Sequence, residues 1–396
     1  MKKEEKYLIA IVRCFLNGGE YPEEMEDFSC EEKGKIIMCA KKHGLLPFLQ
    51  ECPVFMKEPY RKKIFSYLKH YAYKDVQQTH ETEELLRCFE EKGIFCMPLK
   101  GMRTKQYYPY PELRTMGDMD ILYKKEQTDV LKKIMAQRGY EFEGHSVKHD
   151  HYEKQGVTVE MHRDLLPVQS RAYTYFLDIW QRASAAEGKS YQYEMRLEDH
   201  YLFTLYHLIE HFIRGGVGIR MILDIYILSG QPEFNREYVD RELQVLEIAD
   251  FEEHIRNLAY GWFGKKDRKT AEDRERRELE DYVLAGGIFG SREMERQNGT
   301  VMFLSKGKFL RYLFFPSYEN MKTAYPWLKT PWLLPVAWLM KYSLVLRKRR
   351  QHFGHHIKRF RAFDKADTQM KMQRVQFFEK YGLGNMFQGY KEQYGE

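Results

Sequence analysis

Apolar positions recur at helical spacing through the first part of the chain: Tyr7-Leu8, Ile11-Val12 and Phe15, then Ile36-Ile37 and Ala40, with Leu45-Leu46 following Gly44. A long helix is expected from Pro59 to about Glu91, because proline suits a helix start and Gly93 lies where a helix end favours glycine. From Gly93 the period shortens. Ile94 to Leu99 and Met119 to Tyr123 read as strands, Lys125 to Gln137 as a helix closed by Gly139, and Tyr140 to Glu143, His149 to Lys154 and Val157 to His162 as three further strands. That order predicts a small mixed sheet with helices on one face. Helical periodicity returns after about Leu197, in Glu198 to Arg214, Ile219 to Ser229, Arg236 to Ala249 and Glu272 to Leu284. Gly287 to Thr300 is polar and contains glycine, and reads as a loop. The predicted class is α+β: a helical region over 1–92, an α/β core over 93–197, a helical region over 198–300 and a basic helical region over 301–396.

Composition adds location and partners. The chain has 396 residues and 43% hydrophobic content, enough for an ordinary core. Its six cysteines all precede Met97 and show neither CxxC nor zinc spacing, so reduced thiols in a cytoplasmic protein are expected. The charged start Met1-Lys2-Lys3-Glu4-Glu5-Lys6 has no signal-peptide pattern. The apolar run Pro331 to Met340 is about half the roughly 20 residues a spanning helix needs. Charge is uneven, with Lys and Arg outnumbering Asp and Glu by 18 to 6 from Val301 to Glu396. Within that quarter Arg347-Lys348-Arg349-Arg350 and Lys358-Arg359-Phe360-Arg361 form a basic run without acids, downstream of Trp327, Trp332 and Trp338. The expectations for residues 347–361 are a helix packed on the core with a solvated basic flank, an anionic membrane surface making the protein membrane-peripheral, or nucleic acid. Nothing in the sequence specifies an oligomeric state.

Two carboxylates stand one residue apart in Met116-Gly117-Asp118-Met119-Asp120-Ile121-Leu122. In a strand, residues i and i+2 share a face about 7 Å apart, so Asp118 and Asp120 converge while Met119 and Ile121 turn to the core. Such a pair calls for a cation, since like charges at close range in low dielectric repel strongly. Val157-Thr158-Val159-Glu160-Met161-His162 alternates, with Glu160 and His162 on its polar face. Beside the Asp118 strand, Glu160 supplies a third carboxylate, the donor set that Mg²⁺ (or Mn²⁺) and two-metal phosphoryl transfer require.

Met97-Pro98-Leu99-Lys100-Gly101-Met102, Arg114-Thr115-Met116-Gly117-Asp118-Met119-Asp120 and Val159-Glu160-Met161-His162-Arg163 together resemble the bacterial nucleotidyltransferase-like family within the polymerase-beta superfamily. The resemblance spans roughly Gly93 to Leu165. It implies an enzyme transferring a nucleoside monophosphate from an NTP such as ATP to an unknown acceptor, whether small molecule, protein or RNA. On the matching positions, Asp118, Asp120 and Glu160 are implied as metal-binding catalytic residues. Backbone N–H groups around Gly101 are implied as the phosphate cradle, and Lys100 and Arg114 as neutralisers of triphosphate charge. The wider superfamily mostly has Gly-Ser or Gly-Gly where this chain has Gly101-Met102, which motivates the alternative of a degenerate fold that only binds nucleotide or a partner.

Three other features need a reading. His162 is either an outer partner orienting Glu160 or a surface histidine. His207-Leu208-Ile209-Glu210-His211 fits the HxxEH pattern of inverted zinc peptidases, and His207 and His211 share a helical face, but no third ligand stands out; the resembled family often has a His pair on this helix, which implies packing against the catalytic face, so a structural or substrate-side role is favoured and a zinc hydrolase is the remote one. Arg220 and Asp224, spaced i, i+4 after Gly215-Gly216-Val217-Gly218, read as an internal ion pair or a nucleotide contact.

Overall fold

Helix boundaries in the amino-terminal region follow local chemistry. In a computed structural model describing residues 1–146, 148–168, 170–265, 274–288, 290–301, 314–318, 321–322, 325, 327–348 and 368–387, helix α1 (Lys3–Asn17) ends at Gly18 and α2 (Cys30–His43) at Gly44, both left-handed. Ser29 and Glu32 close a capping box at the start of α2, satisfying N–H groups that the first turn leaves open. Helix α3 (Tyr60–Lys92) runs to Gly93, with φ of 70° at its carboxyl cap, as the proline and glycine positions imply.

Strands β1 (Cys96–Pro98), β2 (Met119–Tyr123), β3 (Glu141–His145), β4 (His149–Lys154) and β5 (Val157–His162) form one mixed sheet in the order β1-β2-β5-β4-β3. A short helix α4 (Lys100–Thr104) follows β1, and α5 (Thr128–Gln137) follows β2. Among the strand pairs of this sheet, β2–β5 is the parallel one. Met119, Ile121, Val159 and Met161 turn to one face and pack with Leu85 and Phe89 of α3 and Leu131, Ile134 and Met135 of α5. Each such fully buried side chain contributes about 1.5–3 kcal/mol.

The opposite, polar face looks onto a second helical layer. Short helices α6 (Tyr173–Leu177) and α7 (Ile179–Arg182) and a small ribbon of β6 (Ser184–Ala185) and β7 (Tyr193–Glu194) lead to α8 (Leu197–Arg214) and α9 (Ile219–Ser229). Helices α10 (Arg236–Val245), α11 (Ala249–Phe263) and α12 (Arg274–Ala285) extend this layer, which shares one large apolar core with α1 and α2. Gly218 and Gly286 let two backbone segments touch where α8 turns into α9: a Cβ on Gly218 falls 2.6 Å from Gly287 C, and one on Gly286 falls 2.1 Å from Val217 O.

The segment Gly287 to Thr300 corrects the expectation of a loop, because Arg292–Val301 is a helix, α13. Ser291 caps it by accepting the Met294 N–H, and buried Asn298 donates to Tyr282 Oη at 2.9 Å. Met294 and Asn298 share its inward face, and because one of the two is an amide in a polar sequence, that face does not read as apolar. Helix α14 (Leu334–Lys348) follows a turn in which Trp332 is 90% exposed, and α15 (Thr368–Lys380) returns Phe378 and neighbouring Tyr381 to the main core. Most of the basic run proposed to meet a membrane or nucleic acid, residues 349–361, lies outside the described residues. Among the described residues no helix is long and apolar enough to cross a membrane.

Two buried histidines tie the layers together as neutral rings. His43 Nδ1 accepts the Ile219 N–H at 3.2 Å, joining α2 to the first turn of α9, and His200 Nε2 meets Thr104 Oγ1 at 2.9 Å, joining α8 to α4. Burial, with Lys42 beside one ring and Arg103 and Arg114 near the other, pulls both down to about 3. Because the unfolded chain binds these protons near pH 6.5, their contribution is complete above that pH and is lost as pH falls toward 3. Urea unfolding from pH 7.5 to 5 is expected to show stability falling on acidification by up to about 1.4 kcal/mol per pH unit for each ring. His43→Asn, which keeps an acceptor that cannot charge, should reduce that slope.

Candidate active-site cleft

The parallel register of β2 and β5 sets Asp120 directly beside Glu160. Asp118 precedes β2 on the same side, and the three carboxylates line a cleft, open to solvent, between the sheet and helices α8 and α9. Asp120 is buried, at 2% exposure. The structure therefore brings the three predicted carboxylates into one cleft.

Lys100 enters this cluster as a cation. Its left-handed φ of 44°, sparsely populated by residues with a Cβ, comes at the turn into α4, and its Nζ lies 2.6 Å from Asp120 Oδ1 and 3.9 Å from Glu160 Oε2. Burial disfavours charge on Lys100, but Asp120, Glu160 and Asp118 outweigh it and hold the ammonium well above its ordinary value. Burial likewise opposes ionisation of Asp120, yet Lys100 and His162 keep its carboxyl well below the usual range. Asp118 behaves oppositely: burial, then the charges of Asp120 and Glu160, push it up to about 6.

His162 is not a surface residue; its ring is fully buried, with His149, its partner on β4, packed against it at 4.6 Å between ring centroids. Its Nε2 sits 2.8 Å from Asp120 Oδ1 and 3.4 Å from Glu160 Oε2, so its closer partner is Asp120.

Helix α9 holds the segment before β2. Arg114 gives Nε and Nη2 to the two oxygens of Asp224 at 2.8 and 2.9 Å, and Tyr108 Oη donates to the same carboxylate at 2.7 Å. This leaves Arg114 Nη1 against Gly101, 2.7 Å from where a Cβ would stand, so the glycine is required by close approach as much as by any ligand. Arg220 donates Nη1 to Thr115 O at 2.7 Å. The expected Arg220–Asp224 ion pair is thus corrected: the residues share a face of α9, but each grips the Arg114-Thr115 segment, which competes successfully for both. Buried Arg220 Nε has no hydrogen-bond partner, and the guanidinium is pulled down to about 10 by burial and by Arg114.

His207, Glu210 and His211 face the cleft from α8. Glu210 is taken by Lys148 at 3.4 Å, and burial lowers both rings, His211 to about 4 and His207 well below its ordinary value. Among the described residues, the three ligand atoms close enough to share one ion belong to His149, Glu160 and His162, not to the HxxEH pattern. Lys148 and His149 were missed by the sequence reading. A usable signal existed, since the two-residue turn Gln155-Gly156 pairs Lys154 with Val157 and thereby sets His151 opposite Glu160 and His149 opposite His162.

Removing the Asp224 carboxylate strands a buried guanidinium. Asp224→Ala is expected to cost about 3–5 kcal/mol by urea denaturation, whereas the double change Arg114→Met with Asp224→Leu should recover much of it.

Comparison with known proteins bears on this cleft directly. No curated protein and no solved structure matches the chain. The sequence profile of a family described as uncharacterised nucleotidyltransferases matches residues 29–264, more than half of the chain, and spans β1 to β5, α8 and α9. With every cleft carboxylate inside the matched span, this chain belongs to that nucleotidyltransferase family.

Proposed function

We propose that the cleft transfers a nucleoside monophosphate from an NTP to a hydroxyl-bearing acceptor, with a divalent cation, Mg²⁺ or Mn²⁺, held by Asp118, Asp120 and Glu160. The observation that carries this reading is the in-register placement of Asp120 beside Glu160 on parallel strands, with Asp118 at the mouth of the same cleft. The donor set fits such an ion, for three largely buried carboxylates repel one another, and Asp118 is driven upward by burial and then by its two neighbours. When bound, a divalent cation neutralises triphosphate charge and makes an attacking hydroxyl more acidic.

The protein's own groups supply the rest. Arg220, with its buried and unpartnered Nε, is the best-placed cation for a phosphate oxygen, and Arg114 Nη1 lies beside the Gly101 turn. Their positions are set in advance by Thr115 and Asp224, so little ordering is required when an anion arrives. Lys100, salt-bridged to Asp120, must share that carboxylate with any bound cation, and moves its charge toward phosphate as it does so. The same salt bridge favours a second reading, a fold that binds nucleotide without turning it over, with Lys100 standing permanently in the cation's place.

Incubation with each α-³²P-labelled NTP, Mg²⁺ or Mn²⁺ and a fractionated lysate distinguishes the two. Label transfer is expected from the wild type and should fall at least about 100-fold in Asp118→Asn and Asp120→Asn, while Arg220→Met should chiefly weaken NTP binding. NTP binding with no transfer in any fraction would favour the inert reading; neither binding nor transfer would reject both.

A further inference from the structure

Three histidines surround one carboxylate on the cleft face of β4 and β5. His149 Nδ1 and His162 Nε2 each lie 3.4 Å from Glu160 Oε2, and His151 Nδ1 lies 3.5 Å from Glu160 Oε1. We propose that His149, Glu160 and His162 form a site for a first-row transition ion of the Zn²⁺ type, distinct in chemistry from an oxygen-only Mg²⁺ position. This inference stands whether or not the cleft transfers nucleotides.

Geometry supports it first. Two ligands bonded at about 2.0–2.1 Å to one tetrahedral ion are about 3.4 Å apart. Both contacts on Glu160 Oε2 have that length, longer than an ordinary N–H···O hydrogen bond. One donor atom from each of the three residues lies within 4.8 Å of the others.

Proton counting supports it independently. His149 Nε2 and His151 Nε2 are 2.9 Å apart and share one hydrogen bond, so one nitrogen carries the proton and the other accepts it. The donating ring, if neutral, is bare at Nδ1. Since both Nδ1 atoms face Glu160 oxygens, a lone pair opposes the carboxylate in either tautomer. An additional proton or a metal ion removes that opposition. Buried His149 Nδ1 has no hydrogen-bond partner, so an ion at that nitrogen displaces no bond of the folded chain. With an ion on Nδ1, the proton of a neutral His149 ring lies on Nε2 and is donated to His151 Nε2 2.9 Å away, so that His151 orients a metal ligand from behind.

The ligand types select the ion. Imidazole suits Zn²⁺ and its neighbours, whereas Mg²⁺ favours oxygen. Ligation through His162 Nε2 exchanges its bond to Asp120 Oδ1 for a metal bond and shifts its proton to Nδ1, so filling the site alters the surroundings of Asp120.

Co²⁺ alone, titrated into the full chain without nucleotide, tests this. Expected are saturable visible bands at one ion per chain, displaced by Zn²⁺ but not by a large excess of Mg²⁺. NMR of the Co²⁺ form should show two exchangeable, hyperfine-shifted imidazole N–H signals, a wild-type readout that does not depend on any variant folding. His149→Asn and His162→Asn should each weaken Co²⁺ at least about 10-fold and His151→Asn about 10-fold, with His207→Asn unchanged. Absence of saturable bands, in which case a proton occupies the position, would overturn the proposal, as would binding lost only in His207→Asn. Because the titration contains no NTP, its failure leaves label transfer standing, and a failed transfer leaves the metal site standing.

Discussion

The pairing of β2 with β5 is the constraint around which the rest of the molecule is arranged. Two carboxylates side by side in a largely buried face are a liability by Coulomb's law, since the protein around them screens far less than water. Lys100 and His162 answer that liability at Asp120. Lys100 reaches in from the turn after β1, His162 lies against Asp120 from the end of β5, and His149 and His151 approach Glu160 from the adjacent strand. The outcome divides the carboxylates: Asp120 is held ionised by its partners, while Asp118, with less compensation, is pushed upward.

The helical layer serves this arrangement from the other side of the cleft. Asp224 fixes Arg114 in two hydrogen bonds and takes a third from Tyr108, and Arg220 holds Thr115 by its carbonyl. The segment leading into β2 is therefore positioned by α9 rather than by its own conformational preferences. Helix α9 is in turn started by His43 from α2 and packed where two glycine-containing turns meet. A chain of buried polar contacts thus runs from the amino-terminal helices to the carboxylates, and each link is strong only because the others exclude water.

Much of this was legible without coordinates. Alternation in Val157 to His162 set Glu160 and His162 on one face, and Asp118-Met119-Asp120 divided polar from apolar sides as a strand must. The long helix ended at Gly93 because glycine alone adopts that cap without strain. Where the reading failed, a local rule was outweighed by distant partners. Arg220 and Asp224 have the spacing of an ion pair, yet a buried loop offered both better contacts; α13 is polar in composition and buries an amide, Asn298, one turn after Met294, so its inward face does not read as apolar.

By itself the sequence determined which faces are apolar and where helices stop, because side-chain period and capping are local properties of the chain, and its Lys-Gly, Asp-x-Asp and Glu-x-His blocks carried the resemblance to a nucleotidyltransferase family. Only the tertiary structure decided the company the carboxylates keep. The pairing of strands distant in sequence and the burial of α8 and α9 against them set Lys100, His149, His162 and Arg220 around Asp120 and Glu160. Charge, tautomer and ligand choice depend on distances of a few ångströms, and those distances exist only once the chain has folded.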